Sequence, residues 1–131
     1  MVAAALAEGT SVLITGAAGV GKTTLAAEAI RSTGRSVRRG AAIRFLEQRS
    51  FLSLSSATGA PIRLSDDAGI AADVMAAIGD AILFLDDLQW ASPDTVAVLQ
   101  ALAAHGRLVA AVRPGEGMAG EVIDELHARC V

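Results

Sequence analysis

Gly16-Ala17-Ala18-Gly19-Val20-Gly21-Lys22-Thr23 combines residue types that, at this spacing, suit one kind of chemistry. Its glycines let the backbone turn tightly, so that successive amide N–H groups converge on a single concavity that favours an anion. The Lys22 ammonium would add a full positive charge, and the Thr23 hydroxyl could ligate a divalent cation beside a chain of phosphates. Sixty-four residues beyond Lys22, Asp86-Asp87 follows the apolar run Ile82-Leu83-Phe84-Leu85. Two carboxylates at the end of a buried strand are costly unless they face something positive. Asp86 is the candidate metal residue, directly or through water, and Asp87 is placed to orient or deprotonate an attacking water. Arg113 ends the next apolar run and could reach a terminal phosphate from the same sheet edge. The expected ligand is therefore a nucleoside triphosphate with Mg²⁺. Gly16, Ala17, Ala18, Gly19, Val20, Gly21, Lys22, Thr23 and Thr24 would form the nucleotide loop, Thr23 and Asp86 the metal site, and Lys22, Asp87 and Arg113 the catalytic set.

These residues need a scaffold that delivers them to one edge. Val12-Leu13-Ile14 is a β-type run before the loop, and Leu25, Ala26, Ala27, Ala29 and Ile30 give a helical pattern after it. The expected order starts with a helix tail over 1–10 ended by Gly9, a strand over 11–15, and a helix to about Thr33 closed by Gly34. A second strand over 36–43 is interrupted by Arg38, Arg39 and Gly40. The stretch 44–64 is mixed: Phe51, Leu52 and Leu54 suit a short helix or turn, and Gly59-Ala60-Pro61 a loop. Asp66 or Asp67 caps a helix to about Ile78 with Ile70, Val74, Ala77 and Ile78 on one face. Ala81 to Leu85 reads as a central parallel strand covered on both sides. Ser92-Pro93 opens a helix carrying Val96, Leu99 and Leu102, which Gly106 closes. A strand over 108–112 and a helix over 118–128 with Val122, Ile123 and Leu126 complete the chain. Strands alternating with helices imply an α/β, three-layer fold around a parallel sheet.

Composition narrows the function further. At 131 residues the chain is one domain at most, and with 53% hydrophobic but 3% aromatic residues its core must be aliphatic. A net charge of −3 offers no electrostatic case for DNA binding by this segment. Ten of the 11 basic residues are arginines, leaving Lys22 as the lone lysine. The group Arg31, Arg35, Arg38, Arg39, Arg44 and Arg49 reads as a solvated face, since no aromatic residues are interleaved for stacking on bases. His105 and His127 lack paired ligands and read as structural or solvated. The single cysteine, Cys130, excludes an internal disulfide. No apolar run approaches membrane-spanning length, so a cytoplasmic location without membrane partners is expected.

With both motifs in view the chain resembles a known family. Gly16–Thr23, then Leu83-Phe84-Leu85-Asp86-Asp87-Leu88-Gln89-Trp90-Ala91-Ser92, then Val109-Ala110-Ala111-Val112-Arg113-Pro114, are similar to the AAA-like, STAND-class P-loop ATPase module of large LuxR-type (MalT-like) transcriptional regulators. The resemblance covers about residues 8–131, and Asp-Asp-Leu-Gln-Trp-Ala is its most specific part. It implies that Gly16, Gly21, Lys22 and Thr23 belong to the Walker A loop, Asp86 and Asp87 to Walker B, and Arg113 to the first sensor. It implies four strands in the order 1-4-3-2, with a fifth strand and the lid missing, and thus a single domain over 1–131 incomplete at both ends. The activity implied is slow ATP hydrolysis that switches contacts with C-terminal domains of a parent regulator; loss of an edge strand would expose apolar sheet edge and lead to poor solubility or self-association. Two other readings are a non-catalytic interaction remnant of such an ATPase and a small phosphotransferase. The second lacks an arginine-rich lid or acceptor-binding segment after Asp87.

Overall fold

Two continuous apolar runs, Ile82–Leu85 and Leu108–Val112, decide the architecture, because each is buried on both faces. The computed structural model describes residues 6, 8–16, 21–41, 59 and 66–127. Its strands are β1 (Val12–Thr15), β2 (Val37–Ala41), β3 (Ile82–Asp86) and β4 (Leu108–Val112). Its helices are α1 (Lys22–Ser32), α2 (Asp67–Ile78), α3 (Pro93–Ala103) and α4 (Ala119–Leu126), with a 3-10 turn over Leu88–Trp90. The strands form one parallel sheet in the order β1-β4-β3-β2, as expected from the resemblance. Parallel pairing requires a crossover between consecutive strands, and the helices supply those crossovers.

Alternation along the strands divides the core into two layers. Leu83 and Leu85 of β3 with Leu108, Ala110 and Val112 of β4 face α2, α3 and α4. Ile82, Phe84, Val109, Ala111, Val12 and Ile14 face the other way, onto Ala26 and Ile30 of α1. Both faces are therefore dry, which explains why β3 and β4 read as unbroken hydrophobic stretches.

Helix boundaries follow local chemistry. Asp66 caps α2 by accepting from the Gly69 amide at 2.7 Å, and Ser92 caps α3 by accepting from Thr95 at 3.2 Å, with Pro93 in the first turn. On α2 the buried set is Ile70, Ala71, Val74, Met75 and Ile78, whereas Ala77, expected on that face, is exposed. The buried arc centres on Ala71, Val74 and Ile78, and at 100° per residue Ala77 falls beyond its edge. Strand β2 is described only to Ala41, so the expected extension to 43 and the readings for Phe51, Leu52, Leu54, Ala60, Pro61, Ala128 and Cys130 lie outside the described residues.

At the amino-terminal rim of the sheet, Ser11 Oγ donates to the Ala103 carbonyl at 2.7 Å and accepts from the Leu108 amide at 3.2 Å. Beside it, Gly106 packs against the Gly9 backbone with φ +74, and a Cβ at Gly106 would overlap the Gly9 carbonyl. Gly106→Ala should accordingly lower stability by about 2–4 kcal/mol, since it adds overlap to a strained φ. Gly115→Ala, with φ +84 but open space around it, should cost about 1 kcal/mol. Urea unfolding of the two variants measures the difference.

Candidate functional site

Both motifs end at the carboxyl rim of the sheet, where β1 and β3 flank β4. Gly21 caps α1 with φ 83 and offers no side chain to the first-turn amides. Those N–H groups and the positive end of the helix dipole are therefore available to an anion. Lys22 Nζ reaches back across the loop to donate to the Gly16 carbonyl at 2.7 Å. Ala17, Ala18, Gly19 and Val20, also expected in the loop, lie outside the described residues.

The two halves meet at one oxygen. Thr23 Oγ1, on the first turn of α1, donates to Asp86 Oδ2 at 3.0 Å across 63 residues of sequence. Asp86 is 5% exposed, and its Oδ1 accepts from the Asp87 amide at 2.9 Å. Asp87 itself adopts φ 53, ψ 39, the only non-glycine residue with positive φ among the described residues. Left-handed backbone at a side-chain-bearing residue costs energy, and aspartate tolerates it better than most. The turn projects chain away from the sheet immediately after β3, and Trp90 N and Ala91 N close it by donating to the Asp87 and Leu88 carbonyls.

Gln89, in the middle of that turn, was not singled out by sequence. It is buried, and its Oε1 accepts from the Arg113 amide at 3.0 Å while its own carbonyl accepts from Met118 at 2.7 Å. It thus ties the acidic turn to the end of β4. A glutamine in an apolar-flanked turn offers one signal: its amide must bond across to another segment if buried. Arg113 Nη1 pairs with Glu116 at 3.0 Å, and its Nε is buried without an acceptor among the described residues.

Gly21, Lys22, Thr23, Thr24, Asp86, Asp87, Arg39 and Arg113 line one cleft of about 410 Å³. Gly21, Lys22, Thr23 and Thr24, the acidic doublet and Arg113 are thus brought to one cleft. Arg39 is a correction. Its side chain is half exposed, as a solvated face requires, yet its Nη2 lies 2.8 Å from Asp86 Oδ2 and its guanidinium sits 5.3 Å from the Phe84 ring centroid. Pairing β2 beside β3, with Arg39 opposite Phe84 and Ala41 opposite Asp86, is what carries it there. His105 is exposed, and among the described residues His127 Nδ1 contacts the Asp124 carbonyl of its own turn, so neither lines the cleft.

The donor set suits a hydrated, oxygen-seeking cation delivered on a phosphate. Among the described residues no cluster of three or more His, Cys, Asp or Glu could hold a metal. The Thr23 hydroxyl and the Asp86 carboxylate, 3.0 Å apart, are the oxygen donors that would hold a magnesium ion brought in on the phosphates. Relief of the Asp87 backbone should be measurable: Asp87→Gly is expected to raise unfolding stability by about 0.5–1 kcal/mol in urea titration.

Comparison with known proteins agrees with this arrangement. Among the described residues no helix is long and apolar enough to cross a membrane. No curated protein matches the chain. A family-wide sequence profile, described as the AAA domain of the dynein-related subfamily, matches residues 11–116, from the start of β1 to the Glu116 that pairs with Arg113. Covering most of the 131 residues, that match places the chain in the AAA domain family, dynein-related subfamily, as an AAA-like P-loop ATPase module.

Proposed function

We propose that this chain is a magnesium-dependent ATP-binding switch module with slow hydrolysis, built as one domain over 1–131 and serving a LuxR-type, STAND-class transcriptional regulator. The observation that carries the chemical part is the Thr23–Asp86 hydrogen bond at 3.0 Å, which sets the end of the glycine loop against the acidic strand end. The regulator assignment rests on the resemblance of Leu83 to Ser92 and Val109 to Pro114, and the contacts switched would be with other domains of the parent protein.

In this reading the α1 amides and Lys22 bind the β- and γ-phosphates and offset their charge. Thr23 and Asp86 would hold the magnesium ion, which supplies further charge neutralisation on the phosphates. Asp87 accepts the proton of the attacking water as its oxygen bonds to the γ-phosphorus. The bond from that phosphorus to the bridging oxygen breaks, and ADP leaves with inorganic phosphate. Arg113 would release Glu116 to contact the γ-phosphate, so its position differs between triphosphate and diphosphate states. A strained, short-armed Asp87 suits slow turnover, because a switch must keep its triphosphate long enough to be read.

Titration with a fluorescent ATP analogue and a phosphate-release assay test the proposal. Lys22→Ala should weaken binding at least about tenfold, the loss expected when a charge-assisted phosphate contact is removed. Asp87→Asn should keep binding within about twofold and lower phosphate release at least about tenfold. Equal, weak binding by wild type and Lys22→Ala would refute nucleotide binding, and phosphate transfer to an added small acceptor would refute the switch.

A further inference from the structure

We propose that Arg39 is a resident counter-ion of the Asp86 carboxylate, displaced when the metal-bearing nucleotide binds, and that it sets how much magnesium the site requires. This rests on the reading of the cleft as an Mg·ATP site.

The carboxylate is almost fully engaged without a metal. Asp86 Oδ2 accepts from both Thr23 Oγ1 at 3.0 Å and Arg39 Nη2 at 2.8 Å, and Oδ1 accepts from the Asp87 amide at 2.9 Å. A carboxylate oxygen has two lone-pair directions, so Oδ2 has no direction left in this arrangement. A cation approaching Oδ2, directly or through a water, needs one donor to leave. Thr23 belongs to the metal side of the site and sits on the first turn of α1. Arg39 is the donor able to depart, with a side chain 53% exposed. It also carries a fixed charge that a divalent cation repels at this range.

Two features make the pair more than a surface contact. Its carboxylate member is buried, so a positive partner lowers the cost of keeping the charge there before ligand arrives. Its guanidinium lies over Phe84, which holds the planar head beside the sheet edge. Arg39 also lines a second cavity of about 320 Å³, with Phe84, Ile30 and Val37, on the α1 side of β2. On leaving Asp86 the guanidinium keeps an apolar platform and solvent next to it, so release needs no rearrangement of the strand.

The test is the Mg²⁺ concentration giving half-maximal binding of a fluorescent ATP analogue, compared between wild type and variants. Arg39→Gln should lower it about two- to fivefold, the range expected for loss of one partly exposed ion pair. Arg39→Met, which keeps the apolar stem against Phe84, should shift in the same direction. Arg39→Lys, which keeps the charge, should stay nearer to wild type than either. An unchanged or raised Mg²⁺ requirement in both neutral variants overturns the proposal, and a raised one assigns Arg39 to the phosphates instead. A lysine variant indistinguishable from the neutral ones overturns it as well. Wild type that binds no nucleotide at any Mg²⁺ concentration sinks the underlying function, whereas normal Lys22-dependent binding with an unmoved requirement sinks only the role of Arg39.

Discussion

A buried carboxylate at the end of β3 must be satisfied by something, and the rest of this structure is arranged around that need. Asp86 sits at the end of a strand whose other four residues are apolar and buried. Left alone there it would favour the unfolded chain, in which water solvates it. The fold answers with a hydroxyl from α1, a backbone amide from the next residue and a guanidinium from β2. Those three donors come from three different elements. Placing them together is what the sheet order β1-β4-β3-β2 achieves, with β4 lying between the loop strand and the acidic strand.

The same arrangement separates rigidity from reactivity. The larger core cluster, on the side of α2, α3 and α4, fixes β3 and β4 through residues that are nearly all aliphatic. The polar groups of the cleft come from the first turn of α1, from the edge strand β2, from the last residue of β3 and from the turns after β3 and β4. The turn after β3 is held by Gln89, whose side chain and carbonyl reach the segment following β4. Gly117 is required at that crossing, because a Cβ there would overlap the Gln89 carbonyl. Asp87 and Arg113 are thereby held in fixed relation although neither lies within a strand. The left-handed backbone of Asp87 is the local cost of aiming its carboxylate outward at that corner.

Much of this was legible from residue patterns. The apolar runs gave β1, β3 and β4, Asp66 and Ser92 announced their helices, and the loop and acidic doublet named the cleft. What escaped depends on lateral pairing. Arg39 belonged to a run of basic residues, and only its register opposite Phe84, two residues before Asp86, turns it toward the carboxylate. The clue was present in combination: once β2 is placed beside β3, a strand arginine on the face shared with Phe84 and Asp86 has an acid within reach. Ala77 lies outside the buried face for a simpler reason, since alanine marks the edge of a helical face poorly. The sign of φ at Asp87 has no sequence signature, because aspartate occupies both signs in turns.

The close backbone approach of Gly9 and Gly106, with Ser11 bonded across to Ala103 and Leu108, lies at the rim opposite the cleft. So tight a crossing fixes the spacing of β1 and β4 at that end, since neither backbone can come closer. With that end clamped, any relative tilt of the two strands grows along their length and is largest where Gly16 meets Val112. A strand of four or five residues is a lever of about 15 Å, so a tilt of a few degrees moves the far tips by about an ångström. A small relative tilt of these two strands would therefore be felt most at the rim that carries Lys22 and Arg113, and least at the clamped one.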